Sequence, residues 1–176
     1  GIQFKNTVSN SSVDSSRFIY SNFTYGKATG TYVVDENGGA INIYNYSKVL
    51  ISNCIFSNNS AAQSGAAIFV ESGDPVIVNN IICNNYAGRN NTQYSNSYYT
   101  NGGAIWFSDV NGVFANNNIV NNKSLGYNPY SAGLVCWSSS VILKNNIFYG
   151  NVNYDTFGQK NYGQQLFVFY GGYVDL

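Results

Sequence analysis

Acidic side chains are the residues of this chain that could do acid–base or metal chemistry. There are eight of them, and the chain has no histidine, which removes the commonest general base and zinc ligand. Aligning the repeats described below places Glu71, Asp74 and Asp109 near one turn, with Lys48 one repeat earlier. These acids could form a weak cation site or the carboxylate pair of a polysaccharide lyase or glycosidase. They could equally be a solvated turn with a Lys–Asp contact worth about 0–1 kcal/mol.

Other catalytic and partner signals are missing from the sequence. It contains no Gly-x-Ser-x-Gly elbow, Walker loop or Cys-x-x-Cys pair. Cys54, Cys83 and Cys136 are too widely spaced for a disulfide framework and are predicted to be small buried hydrophobes. Basic and acidic residues balance at eight each, and no apolar run approaches the roughly 20 residues of a membrane span. We therefore predict no catalytic residue, cofactor, bound metal, nucleic-acid partner or membrane span.

Tyrosine is the residue that most favours a binding function. Half of the 16 tyrosines fall in four short spacers between the repeats, and a rigid scaffold often carries recognition on such loops. The ring offers a flat apolar face and a hydroxyl group at little entropic cost, which suits sugar rings or a protein partner. The alternative is that the rings pack on one another and hold the loops in place. The predicted binding residues are Tyr86, Tyr94, Tyr98, Tyr99, Tyr127, Tyr130, Tyr154 and Tyr162.

Six Asn-x-Ser/Thr sequons permit surface glycosylation. Asn58 and Asn122 lie in predicted turns, and Asn90 lies in a predicted loop. These three are the glycosylation candidates. The number of sequons is close to what the asparagine-rich composition gives by chance, so they allow glycans without arguing for them.

An imperfect internal repeat organises these residues. Its opening, Gly38-Gly39-Ala40-Ile41, recurs as Gly65-Ala66-Ala67-Ile68 and Gly102-Gly103-Ala104-Ile105, and more weakly at residues 131–134 and 163–166. The first four openings lead to an apolar residue followed three positions later by asparagine. The units 38–59, 65–85, 102–122 and 131–151 have nearly constant length, whereas the spacers 60–64, 86–101, 123–130 and 152–162 vary. Constant units with variable junctions are typical of a solenoid with loops on one edge.

Apolar residues recur in columns when the units are aligned. Within the openings the columns are two residues apart, which is strand periodicity, and no helical period is evident. The four columns are Ile41/Ile68/Ile105/Leu134/Leu166, Ile43/Val70/Phe107/Cys136/Val168, Ile51/Ile77/Phe114/Leu143 and Phe56/Ile82/Ile119/Phe148. We predict short parallel strands that are buried only when neighbouring units stack about 4.8 Å apart.

Asparagine also aligns in two columns, which are Asn53/Asn79/Asn116/Asn145 and Asn59/Asn85/Asn122/Asn151. Asparagine tolerates the left-handed conformation of tight turns. Stacked amides can also hydrogen-bond along a solenoid axis. Both properties favour a stacked structure.

These patterns predict one all-β domain, a right-handed parallel β-helix (solenoid) of about four to six coils. The predicted coils are residues 38–64, 65–101, 102–130, 131–162 and a partial coil 163–176. Residues 1–37 are irregular or a degenerate coil, because Phe18, Phe23 and Gly26 match the spacing of a unit. The chain begins with glycine and contains no methionine, so we expect it to be a fragment of a longer protein.

The pairing of Gly-Gly-Ala-Ile with Phe-x-x-Asn resembles the repeats of chlamydial polymorphic outer-membrane proteins. It also resembles adhesin-like surface proteins of methanogenic archaea and related bacterial proteins with pectin-lyase-like β-helices. The resemblance covers residues 38 to about 170, with departures at residues 131–134 and where isoleucine replaces phenylalanine. It implies display and adhesion outside the cell.

Three functions are open at this point. The first is a non-catalytic surface adhesin or binding stalk that contacts glycans or protein through its Tyr/Asn-rich loops. The second is a structural subunit that self-assembles into a filament or coat through open coil ends or the tyrosine-rich edge. The third is a polysaccharide lyase or glycosidase. We expect the first, at an extracellular or cell-surface location.

Overall fold

The computed structural model describes residues 1–5, 16–29, 35–46, 48–88, 102–126, 130–154, 159–161, 165–169 and 173–175. Within these ranges the regular elements are β-strands, and no α-helix occurs. The chain is therefore all-β, as predicted. No helix long and apolar enough to cross a membrane is found in this part of the chain.

Strands that follow the glycine-rich openings form one parallel ladder, which we call the opening ladder. Its strands are β1 (Ile2–Lys5), β5 (Ile41–Tyr44), β9 (Ile68–Gly73), β13 (Ile105–Ala115), β16 (Leu134–Trp137) and β21 (Leu166–Phe169). Neighbouring strands pair so that Ile41, Ile68, Ile105, Leu134 and Leu166 stand in register. The first predicted column is thereby confirmed, and β1 adds Ile2 below Ile41.

A second parallel ladder continues from the first through the long strand β13. It contains β2 (Ser16–Ile19), β6 (Val49–Ser52), β10 (Val76–Val78), the second half of β13, β17 (Ser140–Lys144) and β22 (Tyr173–Asp175). The two ladders together make an 11-stranded sheet. The predicted column of Ile51, Ile77, Phe114 and Leu143 is in register, and Phe18 extends it.

The same units also contribute strands, in the same order, to two smaller sheets. The five-stranded sheet contains β3 (Asn22–Thr24), β7 (Ile55–Ser57), β11 (Ile81–Cys83), β14 (Asn118–Val120) and β18 (Ile147–Tyr149). The six-stranded sheet contains β4 (Lys27–Ala28), β8 (Ser60–Ala61), β12 (Tyr86–Gly88), β15 (Lys123–Leu125) and β19 (Val152–Tyr154), with β20 (Lys160–Asn161) added antiparallel. Each predicted spacer therefore begins as a strand rather than as a loop.

Residues 2–5 and 16–28 belong to the same arrangement. Strands β2, β3 and β4 pair in parallel with β6, β7 and β8 of the next unit. Phe23 stacks on Phe56 with ring centroids 4.6 Å apart. Residues 16–28 therefore supply three strands that pair in the same order as those of the later units.

The inward-facing columns form a continuous apolar core. Its largest fully buried side chains are Phe56, Phe107, Phe114, Ile41, Ile43, Ile51, Ile68, Ile77, Ile82, Ile105, Ile119 and Leu134. A unit of about 21 residues has too little apolar surface to be stable alone, so the core exists only between stacked units. Cys54 and Cys136 are buried, as predicted, and burial raises the pKa of Cys136 to about 12, whereas Cys83 is only half-buried.

The two asparagine columns have different structural roles. Asn53, Asn79, Asn116 and Asn145 adopt left-handed φ angles between 53° and 60° at the turn into the five-stranded sheet. Asn59, Asn85, Asn122 and Asn151 are buried, and each amide donates from Nδ2 to the Oδ1 atom of the next residue in the column or, at the last step, to Gln165 Oε1. The first column is therefore conformational and the second is a hydrogen-bonded ladder.

A second amide ladder lies one residue after the left-handed asparagines and was not predicted. Asn80 donates to Asn117 at 3.0 Å, and Asn117 donates to Asn146 at 3.1 Å. Each of these three amides also donates to the backbone carbonyl of a neighbouring unit. Successive Asn-Asn pairs thus place one residue in a strained turn and the next in a buried ladder.

One buried hydroxyl group breaks this pattern of satisfied polar groups. Ser124 Oγ is buried and has no hydrogen-bond partner in the described part of the chain. It lies in register with Ala61 and Ala87 of earlier units, so alanine fits the position.

Because a buried hydroxyl without a partner costs free energy, we expect Ser124→Ala to raise the free energy of unfolding by about 1 kcal/mol. Urea unfolding checks this, with the exposed Ser140→Ala as a neutral control; a destabilised Ser124→Ala variant would contradict it.

Candidate binding surface

The outward face of the opening ladder carries aromatic residues where polar ones are usual. Between the two inward columns, the register stacks Asn42, Phe69, Trp106, Val135 and Phe167. Two positions further along, the last two strands place Trp137 beside Phe169. Alternation along the strand points all of these side chains away from the core.

These residues form a cluster of rings, which we call the aromatic patch. It consists of Phe69, Trp106, Tyr130, Trp137, Phe167 and Phe169, packed around Val135. Tyr130 stacks on Phe167 with ring centroids 4.8 Å apart and an interplanar angle of 24°. Trp137 lies 4.8 Å from Phe169 and 6.1 Å from Trp106. These are the separations at which aromatic rings attract one another.

The exposed fraction of the ring-bearing residues increases from the earlier units of the patch towards its later units. Phe69 and Trp106 are buried, Tyr130, Trp137 and Phe167 are half-buried, and Phe169 is exposed. The buried rings give the surface rigidity, and the half-buried and exposed residues keep part of the patch in contact with solvent. A rigid apolar surface with a phenol and indole groups can stack on the apolar face of a ligand and also hydrogen-bond with it.

Three of the eight tyrosines predicted to bind lie within the described residues, and these three fall at two places. Tyr130 belongs to the aromatic patch. Tyr86 and Tyr154 are half-buried in strands β12 and β19 of the six-stranded sheet, and burial raises the pKa of Tyr86, so their assignment to loops was wrong. The other five lie outside the described residues: Tyr94, Tyr98, Tyr99, Tyr127 and Tyr162.

A sequence signal for the patch was present. Phe69, Trp106 and Phe167 all lie midway between the two inward columns, at a position where a solvent-facing strand normally carries polar residues. Repeated aromatic residues at an outward position indicate a surface that is covered or used.

The glycosylation candidates differ in exposure. Asn58 is exposed at a left-handed turn, which suits an attached glycan. Asn122 is fully buried, and its Nδ2 donates to Ile82 O and Asn151 Oδ1, so a glycan there is incompatible with the fold. Its assignment as a glycosylation candidate was wrong, because the turn residue is Asn121 and not Asn122. Asn90 lies outside the described residues.

The acidic candidates come only partly together. Burial, and then the nearby carboxylate of Asp109, raise the pKa of Glu71, so these two acids are close enough to repel each other. Asp74 is exposed after β9. Among the described residues, which include all three acids, no group of three acidic or cysteine ligands could hold a metal ion. Glu71 and Asp109 lie in the neighbouring strands β9 and β13, and only Asp74 lies outside a strand.

Comparison with protein-family models, with curated proteins and with solved structures gives no match. The function therefore has to be argued from the surface itself.

Proposed function

We propose that this chain is a right-handed parallel β-helix that serves as a non-catalytic glycan-binding module at a cell surface. Four ladders with the same order of units support the helix, because the chain passes through each ladder once per repeat. Crossovers between parallel strands of one sheet are right-handed in nearly all proteins, which supports the hand.

The aromatic patch is the observation that carries the binding function. Trp137 and Phe169 are partly exposed beside Tyr130, and Tyr130 and Trp137 also pack on the buried Trp106. A neutral sugar has an apolar face that stacks on such rings and hydroxyl groups that hydrogen-bond at their edges. The low charge of the chain, 9% of residues, also favours a neutral ligand over a charged one.

We expect Trp137→Ala to weaken glycan binding by at least about tenfold, because it removes one partly exposed ring of the patch. Ligands would first be found on an array of neutral and acidic glycans, and the affinity of the best one measured by titration calorimetry. Trp137 lies on the outer face, so the variant should keep the wild-type circular dichroism spectrum.

Tyr149→Ala is the matched control, because Tyr149 is 72% exposed on the five-stranded sheet, away from the patch. It should bind like the wild type. Absence of binding to every glycan, or an equal loss in both variants, would overturn the proposal. Cleavage of a bound glycan would overturn its non-catalytic part.

A further inference from the structure

One outward column of the opening ladder joins the aromatic patch to acidic side chains. In register order this column, which we call the mixed column, is Lys5, Tyr44, Glu71, Ser108, Trp137 and Phe169. Because neighbouring parallel strands stand about 4.8 Å apart, the column offers one side chain at each such step along the stack. A ligand that stacks on Trp137 and continues towards the earlier units therefore passes over Ser108 and then Glu71.

Two carboxyl groups lie where such a ligand would run. Ser108 Oγ donates to Asp109 Oδ2 at 3.2 Å, so the carboxylate of Asp109 lies beside the hydroxyl group that neighbours Trp137. Asp109 is exposed, and Glu71 is half-buried on the neighbouring strand. Burial, and then the carboxylate of Asp109, raise the pKa of Glu71, which agrees with a short separation between the two acids.

The mixed column has one positive charge, and it lies at the end away from the rings. Lys5 is exposed and stands two units beyond Glu71. A ligand held by Trp137 meets both carboxyl groups before it reaches this ammonium group. The part of the column next to the aromatic patch is therefore acidic.

We infer that Glu71 and Asp109 select the ligand of the aromatic patch, so that a neutral linear glycan binds and a chain of uronic acids is repelled. The inference rests on the proposed glycan binding and names the class of glycan. A uronic acid carries a carboxylate on each sugar, and like charges brought together at a binding surface weaken association. A neutral chain meets no such repulsion, since its hydroxyl groups can hydrogen-bond with Ser108 and with both acids.

Paired neutral and acidic probes test this selection. The neutral probes are the linear hexasaccharides of cellulose, mannan and chitin, and the acidic probes are those of polygalacturonate and polymannuronate. At low ionic strength, we expect the wild type to bind its best neutral probe at least about tenfold more tightly than either acidic probe. An array identifies the probes that bind, and titration calorimetry gives their dissociation constants.

The double variant Glu71→Gln/Asp109→Asn removes both charges and keeps the shape of both side chains. Asparagine tolerates the left-handed φ of 53° at residue 109, so the circular dichroism spectrum should be unchanged. We expect the variant to bind the acidic probes at least about tenfold more tightly than the wild type does, and the best neutral probe within about threefold. Asp175→Asn is the charge control, because Asp175 lies in the second ladder, and it should leave the preference unchanged.

The outcomes separate this inference from the proposed function. A wild-type chain that binds acidic probes as tightly as neutral ones overturns the selection but leaves glycan binding in place. A double variant that keeps the wild-type preference does the same, and so does binding confined to acidic or branched glycans. If no glycan binds, the proposed function fails, and the inference fails with it.

Discussion

Asn122→Asp is expected to lower the free energy of unfolding by about 4 kcal/mol, although it changes only an amide into a carboxylate. In the wild type, Asn122 Oδ1 accepts from the backbone and side-chain amides of Asn85, both at 2.9 Å. Nδ2 donates to Ile82 O and Asn151 Oδ1, also at 2.9 Å. The substitution turns both donated bonds into contacts between oxygen atoms, and it buries a charge with no cation beside it.

The same substitution one residue earlier is the control. Asn121 is exposed at a left-handed turn, where aspartate is tolerated, so Asn121→Asp should cost less than about 1 kcal/mol. Urea unfolding followed by circular dichroism gives both values. Burial raises the pKa of the introduced carboxyl above its unfolded value, so the loss at position 122 should shrink as the pH falls and the group is protonated. Equal effects at the two positions would show that the ladder does not stabilise the stack.

The asparagine columns show how far sequence reasoning reaches. Spacing alone placed Asn53 and Asn59 in separate columns, because identical residues at a fixed period must stack if the units do. It could not say that Asn53 would be the turn residue and Asn59 the buried amide. That difference depends on which of two adjacent residues the chain turns upon, and a one-residue shift reverses the side chain's direction. The same shift explains the wrong assignment of Asn122 to the surface.

The candidate binding surface was harder to predict than the strands. Inward columns are constrained by the core, so Ile105 and its neighbours could be aligned from their apolar character. The spacers carry no such period, and the strands at Tyr86 and Tyr154 are recognisable only once neighbouring units pair with them. The aromatic patch combines Tyr130 from a spacer with Trp137 and Phe169 from two units, and no local pattern joins residues that distant in sequence.

Gly39→Ala is the second substitution with a large expected effect, and it explains why the repeat opens with glycine. Gly38 has a φ of +70°, so its role is conformational. Gly39 has ordinary backbone geometry, but a Cβ atom there would overlap the carbonyl oxygens of Ser60 and Ala66. Both oxygens belong to backbone that is tied into the stack, so relief requires neighbouring strands to move. We expect the free energy of unfolding to fall by about 2–3 kcal/mol.

Ala66→Gly, the reverse substitution at the equivalent position of the next unit, distinguishes the effect of packing from the effect of backbone entropy. Ala66 occupies the position of Gly39 in the next opening and is fully buried with its methyl group accommodated. Ala66→Gly should cost only about 1 kcal/mol, because it removes one methyl group and loosens the unfolded chain. Adding a methyl group at residue 39 should therefore do more damage than deleting one at residue 66, measured by urea unfolding of both variants. The opposite order would mean that the openings can separate to admit a side chain, and close backbone approach would not be the reason for the second glycine.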